Sequence, residues 1–437
     1  MKKKALMAIL ALSVAMAMTA CGGNADTAEV KETTKVEETT ATEESAEADA
    51  QTEAEDEEQA KLAEASEYYE AGRRSLYGLD GAQIDMEDAC TNFTKAQELG
   101  NTDANFYLGI LTDYYGYPKK DYEQARAYYE QSGDNPYAQI ALGFLYYYGN
   151  GVEQDMEKGR ELFQSAADQG VVEGYYGLAW DAENEGDFET ALEHYNKVAQ
   201  EGTEQFYIAT AMSGLGYIYA FSNGVEQDGT KAVEWYTKAA DLGDTGAMNK
   251  LGAMYAYGNG VEQDGTKAVE WYTKAADLGN TTAMNNLGYM YASGEGVEQD
   301  GAKALEWYTK AVDLGDTDAM FWLGSMYESG KGVEQDGAKA IEWYTKVADL
   351  GDADAMVALG SIYQSGIGVE QDGAKAVEWY TKAADLGNAS AMNNLGYMYQ
   401  WADGVEQDNA KAIEWYTKAV ELGNIMAEAN LESLQGQ

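Results

Sequence analysis

The sequence predicts an all-α fold, an α/α superhelical solenoid of stacked helix–turn–helix repeats with a period of 36 residues. Three observations carry that prediction. Trp235, Trp271, Trp307, Trp343, Trp379 and Trp415 recur every 36 residues, each inside a Glu-Trp-Tyr-Thr-Lys segment. Within one unit, Asp244 to Gly279, two runs have helical spacing: Ala247, Leu251, Gly252 and Tyr255, then Ala268, Trp271, Tyr272, Ala275 and Ala276. Between the runs Gly258-Asn259-Gly260 breaks the chain, Asp264 is placed to cap the second helix, and Gly279 to stop it. Gly252 and Ala268 permit close approach of the two helices, and Trp271 and Tyr272 are expected to fill the space beside them. One pair cannot cover both its faces, so stability is a sum over neighbouring interfaces.

In chain order, residues 1–20 read as a lipoprotein signal peptide. Lys2, Lys3 and Lys4 form a positive start, and Ala5 to Met18 is an uncharged, mostly apolar run of 14 residues, short for a bilayer span but right for a signal. Met18-Thr19-Ala20-Cys21 resembles a bacterial lipobox, which implies cleavage before Cys21 and a diacylglycerol on its thiol. Two acyl chains on one residue give stable anchoring where one is marginal. The expected location is the bacterial cell membrane, anchored by lipid on the extracytoplasmic side. Residues 21–60 follow as a tether. From residue 22 onward it holds 14 acids and two Lys, no aromatic residue, and Val30 and Val36 as its β-branched apolar residues. Such a segment buries too little apolar surface to offset ordering entropy and reads as a disordered spacer, with nascent helix in its Ala/Glu-rich second half.

Residues 61–134 read as degenerate, tetratricopeptide-like repeats, 135–423 as the regular array, and 424–437 as a C-terminal cap. The recurring pattern is Ala247, Leu251-Gly252, Tyr255, Gly258, Gly260-Val261, Asp264, Lys267-Ala268, Trp271-Tyr272, Lys274-Ala275-Ala276 and Gly279. It closely resembles the Sel1-like repeat, a relative of the tetratricopeptide repeat. The resemblance implies a right-handed superhelix with a concave groove and a role as an adaptor that binds other proteins. Its motif holds no catalytic residue to carry over.

Composition narrows the function further. With 76 acids against 29 bases the chain carries −47, which excludes a phosphate-neutralising nucleic-acid binder. One His and two Cys leave little for metal or disulfide chemistry. The run Gly260 to Lys267 sits one position away from a phosphate-binding loop, with Thr before Lys rather than after it. No hydrophobic strand precedes it and it recurs in nearly every unit, so it reads as the inter-helix turn. His194 stands alone, and Cys90 reads as a buried, inert thiol. No nucleophile–base pair, metal cluster or cofactor loop is present, so the sequence predicts no enzyme, no cofactor and no metal site.

Candidate binding residues come from comparing the units. Positions identical in every unit serve stacking; positions that vary are released from it. The variable positions on the first helix hold Asn249, Asn285, Asn286, Tyr289, Phe321, Trp322, Asn393, Asn394 and Tyr397. A row of amides can pair with an extended backbone, and aromatic rings supply anchors. The expected partner is a basic or extended segment of another envelope protein, bound in the groove. The plainer reading is that the amides fill solvated positions and Phe321 and Trp322 pack between units. The alternative function is a cell-wall glycan binder using exposed aromatics.

Overall fold

Ten second helices open the same way, each on an Asp whose carboxylate accepts from the backbone of the first turn: Asp85, Asp121, Asp155, Asp187, Asp228, Asp264, Asp300, Asp336, Asp372 and Asp408. In the computed structural model, which describes residues 43–79, 84–114, 118–221 and 225–436, these caps punctuate an all-α solenoid. The described residues hold 21 helices and no strand.

The helices pair in sequence. The early pairs are α1 (Glu43–Tyr77) with α2 (Met86–Glu98), α3 (Asp103–Asp113) with α4 (Tyr122–Gln131), and α5 (Pro136–Tyr148) with α6 (Met156–Asp168). Next come α7 (Gly174–Glu185) with α8 (Phe188–Glu201), and α9 (Gln205–Phe221) with α10 (Gly229–Asp241). The regular array follows: α11 (Thr245–Tyr257) with α12 (Gly265–Asp277), α13 (Thr281–Ser293) with α14 (Gly301–Val312), and α15 (Thr317–Ser329) with α16 (Gly337–Ala348). It ends in α17 (Ala353–Ser365) with α18 (Gly373–Asp385), α19 (Ala389–Trp401) with α20 (Asn409–Glu421), and an unpaired α21 (Ile425–Gln435). Odd helices are the first of each pair. The chain divides into two compact units, one holding residues up to Leu251 with Asn259–Val261, the other Gly252–Gly258 with Glu262 to the C-terminus.

Helix α1 reaches back into the segment read as tether. Its first residues are Ala- and Glu-rich, good helix formers, as the expectation of nascent helix there reflects. The signal segment, Cys21 and the rest of the tether lie outside the described residues.

Each pair of the regular array is locked by a tyrosine against a glycine. Tyr272, Tyr308, Tyr344, Tyr380 and Tyr416 are at most 1 % exposed. Their rings lie so close to Gly252, Gly288, Gly324, Gly360 and Gly396 that a Cβ at Gly288 would sit 2.6 Å from Cε1 of Tyr308. The space expected for the Trp-Tyr pair thus belongs to Tyr alone. The Trp series, expected as core, is half-buried: Lys274 Nζ lies 3.8 Å from the Trp271 ring centroid, and Lys310, Lys346 and Lys382 repeat the contact at 3.9 to 4.0 Å. Adjacent helix residues point about 100° apart, so the face that buries Tyr turns Trp toward the surface, where the Lys stem covers it.

The inter-helix turn also recurs. Asp264 N–H donates to the Tyr255 carbonyl at 2.8 Å, and Gln263 Nε2 donates to the Ala256 carbonyl at 2.8 Å. Asp264 caps α12 through the Lys267 N–H at 3.1 Å. Gly258 and Gly260 hold φ of 70° and 75°, the left-handed region that glycine enters without penalty. The phosphate-loop-like run is therefore the turn it was expected to be.

Candidate functional site

The first helices of the second unit expose a series of aromatic rings. Tyr289 on α13 and Trp322 on α15 are 41 % and 40 % exposed, and their ring centroids lie 6.5 Å apart, edge to face, across two successive repeats. Phe321 is half-buried; its ring meets the core ring of Tyr344 at 5.1 Å and Trp322 at 6.0 Å. Trp322 is thus carried on an aromatic base that reaches the core. On α19 Tyr397 stacks obliquely on Trp401 at 6.4 Å, and both are exposed.

Tyr257 and Trp401 were missed by the sequence reading, although both are more than half exposed. They occupy the last position of the first helix, where Ser293, Ser329 and Ser365 stand in the intervening repeats. That contrast was legible as a further variable position.

The asparagines do something different from what was expected of them. Asn285 Nδ2 donates to Asp316 Oδ1 of the next repeat at 2.9 Å, so its amide is committed to an inter-repeat tie; its Oδ1 has no partner. Asn393 Oδ1 accepts from Asn430 Nδ2 at 2.9 Å, tying α19 to α21. Asn394 hydrogen-bonds the Tyr380 side chain. Asn286 and Asn249 are each half-buried and engaged, and Asn249 belongs to the first unit. Asn285, Asn393 and Asn394 thus tie successive repeats together beside the exposed rings.

One of the exposed rings has an acid beside it. Tyr289 hydrogen-bonds Glu295, which raises its phenol above the usual range. Burial pushes the Asp316 carboxyl up, but bonds from Thr281, Asn285 and the Ala319 N–H outweigh it and hold the group ionised below the usual range. Burial pushes the Tyr380 and Tyr416 phenols up to about 12, and their hydroxyls donate to Gln364 and Gln400 at 2.9 and 2.7 Å. These tyrosines stay neutral and structural.

Lysine is spent locally. Lys346, Lys382 and Lys418 pair with Glu342, Glu378 and Glu414 one turn earlier at 2.9, 2.8 and 2.7 Å. His194 stacks obliquely on Tyr175 at 5.1 Å, and burial lowers its pKa. Half-buried Cys90 has a thiol pushed up by burial, which disfavours the reactive thiolate. Among the described residues no group of three or more His, Cys, Asp or Glu is arranged to hold a metal ion, and no helix is long and apolar enough to cross a membrane.

The model of the Sel1 repeat family matches residues 102–135, 136–171, 209–244, 245–280, 281–316, 317–352, 353–388 and 389–424, well over half of the chain. The match takes in 102–135, a stretch whose sequence reads nearer the tetratricopeptide type. Among solved structures, the chain is 30% identical to a protective antigen of uropathogenic Escherichia coli strains described as displaying an SLR fold. The alignment covers 87% of this chain and 89% of that one, with a TM-score of 0.42. It is also 30% identical to a Sel1 repeat protein from Oxalobacter formigenes, over 79% of this chain and 90% of that one, with a TM-score of 0.45. No curated protein matches the chain. The tyrosine-on-glycine pairs, the capped turns and the repeat matches agree: this chain belongs to the Sel1 repeat family.

Proposed function

We propose that the protein is a lipid-anchored, extracytoplasmic scaffold that binds other proteins through the first-helix face of its second unit. The single observation that carries this reading is the set of exposed rings, Tyr257, Tyr289, Trp322, Tyr397 and Trp401, on first helices of a chain that carries −47. Large amphipathic rings with few rotatable bonds are the residue type that anchors interfaces. Their acidic setting selects a basic, extended segment of another envelope protein and speeds its approach. Asn285 and Asn393 serve this face as spacers that fix its repeats, while the rings make contact.

The test replaces Tyr289, Trp322 and Trp401 with Ala together in the full chain. Captured envelope partners are expected to fall at least tenfold with circular dichroism unchanged. An unaltered partner profile from a folded triple variant sinks the reading. Ring-dependent co-sedimentation with purified cell wall at moderate salt favours the glycan binder instead. The anchor is tested apart from the face: Cys21→Ser is expected to shift the protein from the membrane to the soluble fraction.

A further inference from the structure

The first unit treats its first helices differently, closing their faces on one another. Tyr114 at the end of α3 meets Phe206 on α9 with ring centroids 6.4 Å apart. Tyr69 on α1 meets Tyr107 on α3 at 5.6 Å. Enclosed in this closure are three charged side chains: Glu173 at 1 %, Glu204 at 4 % and Arg73 at 7 % exposure.

The two carboxyls are neighbours. Glu173, which opens α7, turns its Oε1 to the α8–α9 connection. There it accepts from the Thr203 N–H at 2.7 Å, the Thr203 hydroxyl at 3.0 Å and the Glu204 N–H at 2.9 Å. Three donors thus converge on one oxygen of Glu173. Glu204 has no such support, and its Oε2 lacks a partner. The nearby cation, Arg73, is shared with Glu70, to which its guanidinium donates at 3.1 Å.

We propose that Glu173 and Glu204 form a proton-operated latch: a proton on Glu204 holds the α8–α9 connection against α1, α3, α5 and α7, and its loss loosens that docking. Two neighbouring buried carboxyls, with the one guanidinium near Glu204 already committed to Glu70, cannot both carry charge without a large cost. From α1 the pair is faced by Arg73 and Glu70, and from α3 by Tyr107. Asp103 adds charge beside Tyr69. From α5 comes Tyr137, bonded to Thr203, and from α9 Tyr207. Burial raises each of the tyrosines, so they stay neutral and add no counter-charge. Burial first, then the charge of Glu173, pushes Glu204 up to about 7, against a smaller opposing pull from Arg73.

The direction follows from that elevation. In the opened state Glu204 regains an ordinary carboxyl value of 4.5. The closed state then binds the proton more tightly. Its contribution is complete below the ordinary value and is lost as pH rises through about 7. The latch therefore tightens in a mildly acidic medium and relaxes in an alkaline one.

Hydrogen exchange of the full chain, followed by mass spectrometry and corrected for the intrinsic pH dependence, reads this directly. Between about pH 5.5 and about pH 8.5, exchange in peptides spanning 66–77 and 170–210 is expected to rise by roughly one to two orders of magnitude. Peptides spanning 317–352 are expected to stay flat. Glu204→Gln, which cannot ionise, is expected to hold the first unit at its low-pH protection throughout. Glu173→Gln, which weakens three accepted bonds, is expected to exchange faster at every pH. A wild-type chain with no pH response in 170–210, or a Glu204→Gln chain that keeps the response, overturns the latch. So does the absence, at about pH 6, of an infrared protonated-carboxyl band that Glu204→Gln removes.

Discussion

At the scale of single residues the repeat is governed by where a Cβ has no room. Gly265, Gly301, Gly337 and Gly373 each open a second helix, and each lies against a turn glycine of the following repeat, Gly296, Gly332, Gly368 and Gly404. A Cβ on Gly301 would fall far inside van der Waals contact distance of the Gly332 carbonyl oxygen, a backbone atom that cannot swing away. Gly301→Ala is therefore expected to destabilise by about 1–3 kcal/mol, the usual cost of overpacking. At the equivalent position of the last pair stands Asn409, which no following turn approaches, and Asn409→Ala is expected to cost under about 0.5 kcal/mol. Denaturant titration of the two variants checks the contrast; equal midpoints would remove the backbone-contact account. Gly252 was legible from sequence as a close-approach residue because its small size recurs beside large rings. Which of the adjacent rings filled the space was not, since Trp271 and Tyr272 share one apolar run and the Lys274 stem that covers Trp271 reads as plain charge. The amides misled for a related reason. Comparing repeats identifies stacking positions only when they are invariant, whereas Asn285 and Asn393 bond partners, Asp316 and Asn430, that are themselves local choices.

At the scale of elements the same interface is made again and again, so the array tolerates change in whole units better than in parts. Residues 281–316 comprise α13, α14 and their turn. Their removal joins Asn280, a helix cap, to Thr317, the first residue of α15, and Gly265 then meets the turn of the next repeat in the geometry it already uses. This 36-residue deletion is expected to keep helicity per residue unchanged and to lower the denaturant m-value by roughly a tenth, in proportion to surface lost. A deletion of about 18 residues from the middle of the same pair is expected to abolish cooperative unfolding, because it leaves tyrosine faces unmatched. Circular dichroism with urea titration distinguishes the two; collapse of the whole-unit deletion would mean that the repeats are not interchangeable. Helix α21 shows why the array is asymmetric. Where α13 holds Met284 and sets Gly288 against Tyr308 of α14, the equivalent positions of α21 hold Glu428 and Glu432. These choices were legible because period, cap and stop are local. The closure of the first unit was not, since Arg73 and Glu204 are 131 positions apart and no periodicity links them.

At the scale of the whole molecule, charge decides the response to solvent. Lysines placed over Trp rings and beside glutamates neutralise only their own surroundings, and −47 remains. Self-repulsion between like charges opposes the compact state, and added salt screens it over about 8–10 Å at physiological strength. The same screening weakens the pull on a basic partner. Raising salt from about 20 mM to about 300 mM is therefore expected to move two measurements in opposite senses: the thermal midpoint of the full chain rises, while the association rate of a Lys- and Arg-rich partner segment falls by roughly tenfold or more. The dissociation rate is expected to change less, because in the proposed complex the exposed rings of Tyr289, Trp322 and Trp401 make apolar contact that salt does not screen. Differential scanning calorimetry and stopped-flow binding, run on one salt series, separate the contributions. If association proved indifferent to salt while the midpoint rose, charge would shape stability alone and the partner would have to be recognised by its apolar surface rather than by its basicity.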